Sequence, residues 1–217
     1  MRVKWECVVA VALAAVLLGC EGGGTTIRPG ASQASRTVDM PHYSFTIPAE
    51  WTGWTVKKEG GPFEVVALME RASGIPPLLY NVRLTRNTVL DEKVRAMTAK
   101  DVAADYSGRE EGTMIFEGVM KGQYALYDVA RTEETLDGKT AYVMRYRTVS
   151  GAICQKASMY LLFPKDSNND WFIVANYSLS TKGESEMRAL DMCKWEKGKD
   201  DQVANQFVDM LKGLQVH

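Results

Sequence analysis

His42 and His217 are the only histidines in this 217-residue chain. Acid–base chemistry near neutral pH therefore has little to work with. Nucleophilic catalysis by serine or cysteine needs a base beside the nucleophile. His42 stands next to Pro41 at the start of a predicted strand, and His217 is the last residue. A solvated edge position suits the first and a frayed end the second. Better spaced for chemistry are Asp128, Arg145 and Arg147. The two arginines lie two apart, so a strand presents both on one face. Guanidinium groups bind carboxylate or phosphate in a bidentate manner, which makes the trio a candidate ligand- or partner-binding face for anions. A cross-strand salt bridge, worth ~0.2–1 kcal/mol, is the simpler expectation. Trp51 and Trp54 either line a ligand groove or, as aromatic pairs more often do, pack under a sheet.

Other constellations fail on spacing. Asp166-Ser-Asn168-Asn-Asp170 places oxygen ligands at alternating positions, as a calcium loop begins. Trp171 then stands where the tight-turn Gly belongs, and Tyr177 where the bidentate Glu belongs. The segment reads as a polar hairpin turn. Phosphate-binding glycine loops, paired-cysteine metal motifs and nucleophile elbows are absent from the sequence. No catalytic residue, metal or cofactor is expected.

The elements that must position these residues are mostly strands. Tyr43-Ser-Phe-Thr-Ile47 alternates and stops at Pro48, a first strand. Glu64–Glu70 and Leu78–Leu84 are two more. Leu90, Val94, Met97 and Val102 then recur at helical spacing, which predicts a helix over 89–106. Asp137-Gly138 is a two-residue hairpin signal of type I′. It pairs Leu136 with Lys139, sets Val129 opposite Tyr146 and Asp128 opposite Arg147, and keeps Arg145 on the same face. A turn over Lys165–Asp170 sets Phe163 opposite Trp171, Leu161 opposite Ile173 and Cys154 opposite Ser180. On that register one sheet face is continuously apolar and the other only near the turn. Val203, Phe207, Met210, Leu211 and Leu214 predict an amphipathic helix over 200–213, the natural cover for the dry face.

Four cysteines divide by position. Arg2 and Lys4 precede an apolar run, Val8–Leu18, of about 11 residues, the length of a signal-peptide core and short of the ~20 needed to span a bilayer. Leu17-Leu18-Gly19-Cys20 ends it, and this start resembles a bacterial lipoprotein signal. The resemblance implies removal of residues 1–19, Cys7 included, and a diacylglyceryl group on Cys20; two acyl chains give stable membrane attachment. Glu21 next to the cysteine favours the outer membrane. Cys154 and Cys193 remain for an oxidising compartment. A bridge between them closes a loop of about 39 residues, worth ~4 kcal/mol on the chain-entropy account. A short helix near Glu184–Met192 would fold back and bring the sulfurs together. Residues 20–38, with the Gly/Ser/Thr-rich stretch Glu21–Thr37, read as lipidated cysteine and flexible tether.

The formal net charge is −1; Arg2, Lys4 and Glu6 leave with the signal, so the mature chain carries −2. No basic stripe is evident, which argues against nucleic acid and against attraction to anionic headgroups. About 180 residues remain for one domain over 39–217.

Phe45-Thr-Ile-Pro48 followed by Trp51 resembles the opening of PsbP-like domains, and the strand–helix–hairpin–helix order is similar. The resemblance covers about 40–216. It implies an α+β fold, an α/β/α sandwich around a central antiparallel sheet, and a role in binding or assembly rather than catalysis. The expected function is a membrane-anchored accessory module of the bacterial envelope with an envelope protein as partner, the domain in the periplasm or at the cell surface. The alternative is a small-ligand carrier with a pocket between sheet and helix lined by Trp51, Trp54 and Arg145.

Overall fold

A computed structural model of the chain describes residues 36–39, 43–48, 54–55, 64–73, 78–164, 169–193 and 202–216. The first strands are β1 (Arg36–Asp39), β2 (Tyr43–Ile47), β3 (Trp54–Thr55), β4 (Glu64–Ser73) and β5 (Leu78–Thr88). Helices α1 (Glu92–Arg95) and α2 (Ala99–Lys121) follow. Then come β6 (Ala125–Leu136), β7 (Lys139–Ser150), β8 (Ile153–Leu162) and β9 (Trp171–Lys182). The chain closes with α3 (Glu186–Met192), α4 (Gln202–Lys212) and β10 (Gln215–Val216). The strands form a three-stranded sheet, β1-β2-β10, and a seven-stranded sheet, β3-β4-β5-β9-β8-β7-β6. Every pairing is antiparallel. No helix among the described residues is long and apolar enough to cross a membrane.

The α+β class expected from the sequence is the class observed, with apolar cores on both faces of the large sheet. Strand β1 extends the fold into residues that composition assigned to the tether: Arg36, Thr37 and Val38 pair with Ile47, Thr46 and Phe45. Val38 is buried there, and its burial supplies what composition could not show.

The Asp137-Gly138 turn behaves as its residues require. Both have positive φ, 49° and 75°, and Leu136 pairs with Lys139. A type I′ turn needs φ > 0 at both central positions, so the register follows from two residues. Lys139 Nζ also donates to the carbonyls of Lys212 and Leu214 at 2.6 and 2.7 Å, holding the hairpin against the C-terminal end of α4.

The second hairpin differs from expectation by one residue. Leu162, not Leu161, pairs with Ile173; Tyr160 pairs with Ala175 and Cys154 with Thr181. A one-residue slip exchanges the two faces of a strand. Tyr160, Leu162, Ile173, Ala175 and Tyr177 therefore form one face, with Ala141 and Val143 of β7. Met159, Leu161 and Val174 form the other. Both faces are dry, and each has its own helical cover.

On the first face α4 and the small sheet supply Tyr43, Phe45, Ile47, Phe207, Met210, Leu211 and Leu214 to one core. The Phe207 ring stacks on Tyr177 and meets Tyr160 edge-on, both at 5.7 Å. On the other face α2 packs Val102, Ala103 and Met114 against Met144, Met159 and Leu161.

The middle helix also departs from the predicted 89–106. The apolar spacing from Leu90 to Met97 belongs to α1 and its flanks, and Leu90 is 76 % exposed. Thr98 starts a new helix: its Oγ1 accepts from Asp101 N at 3.2 Å. A side-chain cap there satisfies an orphan N–H and favours a fresh start. Helix α2 then runs to Lys121 and stops at Gly122 in the left-handed region, φ 62°. The apolar spacing that placed the predicted helix ends at Val102, so its end fell too early.

Candidate functional site

Strand β7 places Arg145 and Arg147 on the α4 face of the large sheet, as their spacing requires. Asp128 reaches Arg147 by a different route from simple pairing. The register of β6 shifts between Tyr127 and Ala130, so Asp128 and Val129 together oppose Tyr146, and Tyr127 takes the place opposite Arg147. Asp128 has φ 52°, a left-handed conformation that aspartate tolerates better than most residues. Such a bulge re-aims a side chain. Here it turns the Asp128 carboxylate onto Arg147 Nη2.

Arg147 is buried, with its side chain 8 % exposed against 55 % for Asp128. Its Nη1 donates to Leu190 O at 3.0 Å, in the last turn of α3. A cation at a helix C-terminus satisfies an otherwise orphaned carbonyl and opposes the helix dipole favourably. Its Nε has no hydrogen-bond partner among the described residues. Helix α3 is held over this end of the sheet by the Cys154–Cys193 disulfide, with Cα atoms 6.1 Å apart. Val149 and Ala189 pack around the bridge. The predicted fold-back helix over Glu184–Met192 is thus α3, and the predicted bridge is present.

Arg145 makes a separate set. Its Nη2 meets Glu134 Oε1 at 2.7 Å and Tyr160 Oη at 3.2 Å, and Nη1 donates to Thr132 Oγ1 at 3.2 Å. Burial works against the charge, yet the hydrogen bond to Glu134 and the attraction of Tyr160 and Glu134 outweigh it and hold the guanidinium above its ordinary pKa. The Tyr160 phenol is pushed up by burial, with Arg145 pulling the other way. Each arginine therefore has its own carboxylate. The cross-strand salt bridge expected for this trio is made by Asp128 and Arg147, with Arg147 buried against the last turn of α3.

The groove expected around Trp51, Trp54 and Arg145 is not assembled by the described residues. Trp54 sits in β3, paired with Met69 at one edge of the large sheet. Arg145 lies five strand steps away in β7, about 24 Å at ~4.8 Å per step. Trp51, Cys20 and His42 lie outside the described residues, as do Asp166 and Asn168. Asn169 and Asp170 of the acidic turn serve the fold. Asn169 Nδ2 donates to Met97 O at 2.6 Å, and Asp170 O accepts from Val89 N at 2.8 Å. No cluster of three or more His, Cys, Asp or Glu side chains suited to a metal occurs among the described residues.

Hollows open between the described elements. One, of about 230 Å³, lies between α2 and strands β6 and β7, over Ala103, Ala104, Tyr142, Met144 and Leu161. Its polar rim is paired: Arg131 Nε donates to Ser107 Oγ at 3.0 Å and Nη2 meets Glu111, and Lys100 approaches Glu133 at 3.6 Å. The other, about 350 Å³, lies between β2 and α4, beside Thr46, Pro48, Gln206 and Met210. Sequence reasoning missed the first because α2, β6, β7 and β8 meet there only in the folded chain. The Thr98-x-x-Asp101 cap was the available sign of where that helix begins. Beneath α2, burial and then Glu117 push Tyr124 up to about 12, and burial with Glu110 does the same for Tyr146.

No protein-family model matches this chain, and no curated protein does. Among solved structures it is similar to the solution structure of cyanobacterial PsbP (CyanoP) from Synechocystis sp. PCC 6803. That likeness has 17 % identity and a TM-score of 0.49 over 92 % of this chain and 99 % of the other. It is also similar to PA94, a protein of unknown function from Pseudomonas aeruginosa. There the identity is 14 % and the TM-score 0.35, over 69 % of this chain and 84 % of that one.

Proposed function

We propose that this chain is a lipid-anchored, non-catalytic binding or assembly module of the bacterial envelope. The observation that carries the binding reading is the outer face of α2, where Ile115, Phe116, Val119 and Met120 are exposed together. Contiguous apolar surface of this kind marks an interaction site more often than chance exposure. The anchor reading rests on Leu17-Leu18-Gly19-Cys20 after the apolar run. The Cys154–Cys193 bridge supports an exported location, because disulfides persist in oxidising compartments.

A carrier role has less support. The hollow under α2 falls below the ~300–1,000 Å³ of ordinary ligand pockets, and both hollows are open to solvent. Two experiments test the proposal. Cys20→Ala should move the protein out of the lipid-labelled membrane fraction; unchanged labelling refutes lipidation there. Affinity capture from native membranes should enrich an envelope component with the parent chain and lose it with Phe116→Glu. Capture of a small molecule alone, with both forms, would favour the carrier instead.

A further inference from the structure

Strand β6 ends one side of the large sheet, with β7 on one flank and no strand on the other among the described residues. A strand edge of this kind offers a row of free N–H and C=O groups to another strand. Which groups are free follows from the turn. Leu136 and Lys139 close the two-residue loop and exchange both backbone bonds, so Leu136, Glu134 and Thr132 spend theirs on Lys139, Ala141 and Val143. Thr135, Glu133 and Arg131 alternate with them and turn their backbone groups outward. Ala130, Arg131, Thr132 and Glu133 are exposed in succession, so no described element covers this edge. The side chains of Arg131 and Glu133 share the α2 face of the sheet. Arg131 reaches Ser107 and Glu111, and Glu133 approaches Lys100. Their pairing is incomplete. Arg131 Nη1 makes no hydrogen bond among the described residues, and Glu133 stands 3.6 Å from Lys100 with its side chain 52 % exposed.

We infer that this edge of β6 pairs with the same edge of a second copy, joining two large sheets across a two-fold axis. Such a pairing is antiparallel and isologous, so the residue on the axis fixes the register. An axis at Arg131, Glu133 or Glu134 sets two like charges directly opposite one another, which destabilises the pair. An axis at Thr132 sets threonine against threonine, and Arg131 against Glu133 of the partner subunit, twice by symmetry. In that register the outward backbone groups of Arg131 and Glu133 face each other and exchange both bonds. The charges along the seam then alternate in sign: Lys100, Glu133, Arg131 of the partner subunit, Glu111 of the partner subunit. Charges on an edge ordinarily keep strands apart. Here they match in one self-complementary register and oppose its neighbours, which selects a second copy over an unrelated strand. The bulge at Asp128 ends the seam on one side and the Asp137-Gly138 turn on the other. The regular segment between them, 130–136, is ~23 Å long at ~3.3 Å per residue. A contact this short falls below the ~800 Å² per partner of a stable complex, so the dimer is weak and reversible. The inference depends neither on an anchor at Cys20 nor on the outer face of α2.

The test traps the contact covalently, with the full chain expressed in a bacterium. Thr132→Cys places a thiol on the axis, at a non-hydrogen-bonded pair, where Cβ atoms across the seam approach the spacing of a disulfide. Met187→Cys, on the exposed side of α3, is the reference for chance collision, and the parent chain controls for Cys7 and Cys20. Diamide takes up the two thiol hydrogens as the S–S bond forms. It should give a reductant-sensitive band at twice the chain mass, several-fold stronger from position 132 than from position 187 or the parent. Adding Glu133→Pro removes an outward N–H, a change that a strand edge tolerates. The band should fall ~10-fold, the loss expected for one backbone bond on each side of the axis. In the Thr132→Cys chain, Glu133→Lys and Arg131→Glu each set like charges across the seam and should weaken the band singly. Co-expressing the two chains should restore it, because every seam position then meets an opposite charge. Equal bands from 132 and 187, or none from 132, overturn the inference. A band undiminished by Glu133→Pro places the contact on another surface and overturns it. Cross-linking of position 132 to a protein of different mass assigns the edge to another protein's strand and overturns it as well.

Discussion

Helices α2 and α4 cover opposite faces of one sheet, and they do so differently. Helix α4 is apolar on one side only, and that side is spent inside: Phe207, Met210 and Leu211 are all buried. Helix α2 buries an inner side of Val102, Ala103 and Met114 and still shows Phe116, Val119 and Met120 outside. Folding accounts for every large apolar residue described in α4 but not for the outer side of α2. Exposed apolar residues that no core requires are where function is to be sought.

The contrast can be broken most directly by truncation. Phe207→Ala should cost about 3–5 kcal/mol, since the ring fills space between Tyr160 and Tyr177. Chemical denaturation measures it; a loss under 1 kcal/mol would mean that α4 is dispensable to the core. Next is the bridge that holds α3 on the α4 face. Replacing Cys154 and Cys193 together by serine should cost about 2–4 kcal/mol in a thermal or denaturant melt. Equal stability of the two forms would show that packing of Val149 and Ala189 suffices.

Gly118→Ala probes how tightly α2 is seated. A Cβ there would stand 2.4 Å from the Tyr124 carbonyl oxygen, and backbone cannot swing away as a side chain can. The expected loss is about 1–3 kcal/mol. An unchanged melting midpoint would show that α2 rides loosely on the sheet.

Alkali should also weaken the α2 face. Tyr124 and Tyr146 are held at about 12, above the ordinary phenol value of 10.0. The native state therefore resists ionisation that the unfolded chain undergoes. This contribution is complete below pH 10 and is lost as pH rises toward 12. Tyr146→Phe should flatten that decline; a parallel curve would place the sensitivity elsewhere. The smallest effect belongs to the outer face of α2. Phe116→Ala should change stability by no more than ~0.5 kcal/mol, while the envelope component enriched in affinity capture falls. A large destabilisation would show that the face serves the fold after all.

The two hairpins show how far the chain could be read without its structure. At Asp137-Gly138 two adjacent residues take positive φ, so the turn is local and the register of β6–β7 was readable from one dipeptide. Between β8 and β9 the turn is longer, and Ala157–Leu162 is almost continuously apolar. A strand dry on both faces has no period-2 signal with which to choose a register. The same holds for α2. Apolar residues on both its sides blur the 3.6-residue period beyond Val102. At the arginine site, the spacing of Arg145 and Arg147 put them on one face. The bulge at Asp128, the contact with Leu190 and the pairing of Arg145 with Glu134 needed segments far apart in sequence to meet.

By itself the sequence determined the features that depend on neighbours along the chain. These are the hairpin at Asp137-Gly138 and the one-sided helix around Phe207. Each follows from local conformation or periodicity. Tertiary structure alone decided which residues share a face of β8 and β9, where α2 ends, and which carboxylate each arginine meets. It also decided that Phe116 and its neighbours point away from every core. Those outcomes depend on which surfaces the packed sheet leaves free, and no local window of sequence contains that information.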